Sequence, residues 1–76
     1  MFATSPITSL FAGRSRDQAL EAWREAADLV GTRWHGFLEA ESESRPWTFA
    51  LYVAALDAEE AAAAELAALA LADIAA

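Results

Sequence analysis

The chain contains no cysteine, no lysine and no asparagine. Without cysteine there are no disulfides, thiolate nucleophiles or zinc–thiolate sites. Without lysine there is no Schiff-base chemistry and no phosphate-binding P-loop. A single histidine, His35, has no second imidazole to share a metal with. Five arginines stand against twelve acids, so no basic stripe exists to replace the counterions of a nucleic acid, and nucleic acid is not an expected partner. Three glycines and two prolines leave long stretches without a helix breaker. No long apolar run is present either. The most apolar segment, "AAAAELAALALADIAA", is interrupted by Glu65 and Asp73 and falls short of the roughly 18 residues that a spanning helix needs. The amino end, "MFATSPITSLFAGRSR", has no basic residue ahead of its apolar ones, so it does not read as a secretory signal. A cytoplasmic protein is expected, with no membrane partner.

What is present is alanine, acid and a few large aromatics. With 76 residues there is room for one domain, and a chain this short buries only about 60% of its unfolded surface, so a partner that adds to its core is expected. The net charge of −7 is unevenly distributed. Residues 1–38 hold four acids and four arginines, while residues 39–76 hold eight acids and only Arg45, so the second half carries the whole excess. Such a surface is either simply solvated or complementary to a basic partner.

The order of breakers and caps gives an all-α reading. Ser5, Pro6 and Gly13 frame a possible short helix over residues 6 to 12, within an amino-terminal arm of residues 1 to 14. "SRDQ" at 15 to 18 matches a capping box, with Ser15 and Gln18 exchanging side-chain-to-backbone hydrogen bonds. A helix is expected from about 16 to 42. Leu20, Trp23, Ala27, Val30, Trp34 and Phe37 follow alternating spacings of three and four, which makes one apolar stripe. His35 is then rotated about 100° away from Trp34 and should face water. Gly31 and Gly36 each cost about 1 kcal/mol relative to alanine inside a helix. Their expected purpose is to make room for Trp34, Phe37 or the amino-terminal arm, the other reading being a bend or helix end at Gly36. The turn should fall at about 42 to 45, with Pro46 at the first position of a second helix running to about 74. Residues 15 to 76 therefore read as an antiparallel two-helix hairpin.

The second helix has two apolar stripes. Phe49, Tyr52, Val53, Leu56, Ala63, Ala67, Ala70 and Ile74 form the one expected to pack on the first helix. Trp47, Leu51, Ala55, Ala58, Ala62 and Leu69 form the other, expected to stay uncovered and to be an interface, most simply between two copies in a four-helix bundle. The carboxylates of Glu59, Glu60 and Glu65 resemble fragments of a bundle metal centre, but such centres use Glu-x-x-His pairs, and Thr32 stands three residues before His35. Solvated charge is the expectation for all three. No catalytic residue, metal ligand, cofactor site or small-molecule substrate is expected.

Trp34-His35-Gly36 reads W-x-G, and a short chain with two antiparallel helices resembles the W-x-G helical-hairpin proteins exported by type VII secretion. The resemblance implies a secreted protein that dimerises into a four-helix bundle. It covers three residues and the expected hairpin. The chain departs from that pattern at Leu56, four residues after Tyr52, where the export motif has an acid. It is also shorter, and its W-x-G falls inside the first helix rather than at the turn. No functional residue is carried over. The reading reached from the residues is a small acidic interaction module, an adaptor, regulatory or assembly subunit without catalytic activity, acting as a homodimer or on a protein partner. A carboxylate-based enzyme or metal-binding bundle is the rival class.

Overall fold

The structure is a computed structural model and describes residues 15–75. Two helices, α1 (Arg16–Glu39) and α2 (Arg45–Ala75), pack against each other as an antiparallel hairpin, with no strand among the described residues. The short helix expected at residues 6 to 12 lies outside the described residues.

The start of α1 follows from its cap. The Gln18 amide donates to Ser15 Oγ at 3.1 Å, and the Ser15 amide donates to Gln18 Oε1 at 2.8 Å. Two of the amides that a helix leaves without partners are thus satisfied reciprocally. Asp17 in the first turn suits the positive end of the helix dipole.

The turn begins earlier than expected and ends within a residue of the expected place. α1 stops at Glu39 rather than near 42, because Ala40 swings into extended geometry (φ −72°, ψ 143°) with its amide on the Phe37 carbonyl at 3.2 Å. A 3-10 turn, Ser42–Ser44, follows, and the Ser44 amide donates to the Glu41 carbonyl at 2.9 Å. Arg45 is already helical (φ −57°, ψ −44°) although it precedes proline. The 3-10 turn feeds the chain into the helix with that geometry in place. Pro46 then falls in the first turn of α2, where a missing N–H removes no intrahelical bond.

Two of the expected explanations of the glycines, room for Trp34 or Phe37 and a helix end at Gly36, do not hold, and the third, room for the amino-terminal arm, falls on residues outside the described ones. α1 continues beyond Gly36 to Glu39, and among the described residues a Cβ built at Gly31 or at Gly36 would meet nothing within 4 Å. Within the hairpin both positions have open space.

The core is correspondingly slight. Among the described residues Ala19 and Ala55 are the buried apolar ones, at 1% and 4% exposure, and no large side chain is fully buried. Two helices can cover only one stripe of each other, and the small alanines let the backbones come close without filling a core. A domain normally encloses its apolar side chains between packed layers. Here most large ones lie at the margins of the contact.

Candidate functional site

The two stripes of α2 share the contact with α1. Ala55 is buried against α1, and Leu51, Ala62 and Leu69 are half-buried, so four members of the stripe expected to stay uncovered line the contact within the hairpin. Trp47, at 67% exposure, and Ala58 remain outside it. Of the stripe expected to pack on the first helix, Tyr52, Ala63 and Ala70 are half-buried, and Phe49 meets Phe37 of α1 with much of its surface exposed, while Val53, Leu56 and Ile74 are exposed. The physical reason lies in side-chain size. Helices approach most closely where their facing residues are small, and the positions of Ala55 and Ala62 permit a closer approach to α1 than a row of aromatics does.

The aromatics gather at the turn end. Trp34 lies 5.1 Å from Tyr52 and 5.6 Å from Phe37 between ring centroids, Phe37 lies 5.6 Å from Phe49, and Phe49 lies 6.3 Å from Tyr52. All four contacts are tilted, the geometry that ring quadrupoles favour. Phe37 and Tyr52 are half-buried while Trp34 and Phe49 are exposed, so the cluster presents one apolar side outward. At about 100° per residue, Leu20, Gly31, Trp34 and Leu38 of α1 share one side of the hairpin with Phe49, Leu56 and Ile74 of α2. Trp34, Leu38, Phe49, Leu56 and Ile74 are all exposed. This face is the candidate functional surface, and it is apolar along its middle.

Polar contacts lie elsewhere. The Trp23 indole Nε1 donates to Glu59 Oε2 at 2.7 Å in a half-buried position. Glu59 is therefore part of the hairpin contact rather than merely solvated charge. Sequence reasoning missed this, although Glu59 stands four residues after Ala55, on the same side of α2. Arg16 Nη1 pairs with Asp73 Oδ2 at 2.8 Å between two exposed side chains at the open end, a contact worth about 1 kcal/mol at most. Arg24 lies 3.9 Å from Glu21 on its own helix. His35 is exposed, as the register requires, and Glu60 is exposed too. Among the described residues, no group of three or more His, Asp or Glu side chains is placed to hold a metal ion, and no helix is long and apolar enough to cross a membrane.

The W-x-G triplet, Trp34 to Gly36, sits within α1 and not at the turn. Set beside protein-family models, curated proteins and solved structures, the chain matches none of them. Its own geometry is what a functional reading has to rest on.

Proposed function

We propose that the chain is a non-catalytic protein–protein interaction module, an adaptor, regulatory or assembly subunit, whose hairpin is one half of a four-helix bundle. The observation that carries this reading is the combination of a core reduced to Ala19 and Ala55 with an outward apolar face bearing Trp34, Leu38, Phe49 and Leu56. The apolar surface these side chains leave in water contributes nothing to folding, and covering it recovers roughly 25 cal/mol per Å². A hairpin of this composition gains most of its possible stability only when a second layer is laid on it.

The proposal is tested by light scattering on the purified chain at micromolar concentration. A mass of about 16 kDa, twice the 8.1 kDa of the chain, with strongly helical circular dichroism, supports it. A particle of about 8 kDa that is fully helical, melts cooperatively and shows no association contradicts it.

A further inference from the structure

We infer that the apolar face is covered by a second copy of this chain, stacked so that α1 of each copy lies across α2 of the other, with Gly31 receiving Leu56 of the partner subunit and Arg24 beside Glu60 of the partner subunit. The inference rests on the four-helix-bundle reading above and adds to it the face, the occupant and the register. The starting point is how levels match along the hairpin. Trp34 touches Tyr52 and Phe37 touches Phe49, so three residues along α1 correspond to three residues back along α2. Gly31 is then level with Ala55, next to Leu56, and Arg24 is level with Ala62, two residues or about 3 Å along the helix from Glu60, a distance the long arginine side chain spans. A two-fold axis running along the helices, between two stacked hairpins, keeps these levels and brings each α1 over the partner's α2, antiparallel to it.

Three features of the face fit a second copy in that arrangement. The first is shape: among the described residues Gly31 has no neighbour within 4 Å of an added Cβ, while Leu56 at nearly the same level is an exposed large side chain, so each copy offers a gap where the other offers a projection. The second is charge. Two chains of net charge −7 can meet only where acids are kept from the contact, and the middle of this face carries none. At its two outer rims, about 140° from the centre of each helix's contact side, stand Arg24 and Glu60, of opposite sign. Both are exposed, and Glu60 makes no hydrogen bond or ion pair among the described residues. Stacking sets Arg24 of each copy beside Glu60 of the other, twice. The third is extent. The stretch from Leu20 to Leu38 rises about 27 Å, and two helices side by side are about 20 Å wide. That gives a flat contact of about 540 Å² in projection, comparable with the roughly 800 Å² of accessible surface that each partner contributes to a standard interface.

The test is sedimentation velocity over a concentration series on the full chain and five variants. Leu56→Glu is expected to leave only the monomer at concentrations where the unaltered chain is dimeric, while Trp47→Glu, on the opposite face, leaves the dimer intact. Arg24→Glu and Glu60→Arg should each raise the dissociation constant by roughly tenfold, as expected of two exposed ion pairs lost and replaced by like charges. The double reversal R24E/E60R should restore it. Within one chain these two residues sit on opposite rims, so restoration reports a contact between copies. If Leu56→Glu loses its helicity, Leu38→Glu, at a more exposed position on the same face, takes its place. A dimer broken by Trp47→Glu but not by Leu56→Glu, or single reversals that the double reversal does not rescue, overturns this inference and leaves the bundle reading standing. A chain that stays monomeric and fully folded overturns both.

Discussion

Trp23 and Glu59 are joined by a hydrogen bond of 2.7 Å from the indole N–H to a carboxylate oxygen, across the hairpin and 36 residues apart in the chain. It is a half-buried polar contact that ties α1 to α2 away from the open end. Replacing Trp23 by phenylalanine keeps much of the apolar surface but leaves the half-buried Glu59 carboxylate without its donor. Thermal melts should show a loss of about 1 to 2 kcal/mol, in the range of hydrogen bonds to charged groups. Combining it with Glu59→Gln should cost less than the sum of the two single changes, as partners in one contact do.

Ala55 is buried in the contact between the helices, at 4% exposure. Ala55→Leu should therefore overpack the contact and cost about 1 to 3 kcal/mol. The same substitution at Ala58, which is exposed, should lie within about 0.5 kcal/mol of neutral. Chemical denaturation of the two variants side by side gives the comparison. Equal losses would mean that the face of α2 turned toward α1 is misassigned.

Trp34 and His35 are adjacent in sequence and opposite in role. Trp34 packs on Phe37 and Tyr52 but keeps 40% of its surface exposed. Within one hairpin Trp34→Ala should cost about 2 kcal/mol, below the roughly 3 to 5 of a fully buried aromatic. His35→Ala should change stability by less than about 0.5 kcal/mol. Circular dichroism melts showing the histidine change to be the more damaging would overturn the helical register.

Gly36 lies on the side of α1 away from the proposed seam, with open space where a Cβ would be. Gly36→Ala should raise the stability of the chain by about 1 kcal/mol, the cost of a glycine in a helix interior. A melting temperature that falls instead would reveal a contact at Gly36 beyond the hairpin.

Much of this architecture is legible in the residues, and what is not has identifiable causes. The Ser15–Gln18 capping box can be read directly, because both hydrogen bonds are local and depend on residues three apart. So can the outward position of His35, which follows from helical period alone. The end of α1 cannot, because no glycine stop or strong breaker stands at Ala40, and the turn is set by a backbone swing together with a 3-10 turn through Ser42 and Ser44. The choice between the two stripes of α2 is also hidden. Both are apolar, and how they share the contact with α1 depends on how near the backbones can come, a property of pairs of residues on different helices. Trp47 is conspicuous in the sequence yet is left at the margin, while Ala55, which has almost no side chain, sits at the centre.

The central claim, that the hairpin is half of a larger bundle, is tested most directly by thermal melts of the unaltered chain followed by circular dichroism over a hundredfold dilution series. Folding coupled to association makes the melting temperature depend on protein concentration. The account predicts a midpoint that falls steadily with dilution, with helicity lost at the lowest concentrations. A midpoint that stays constant over the whole series, with full helicity throughout, would contradict it.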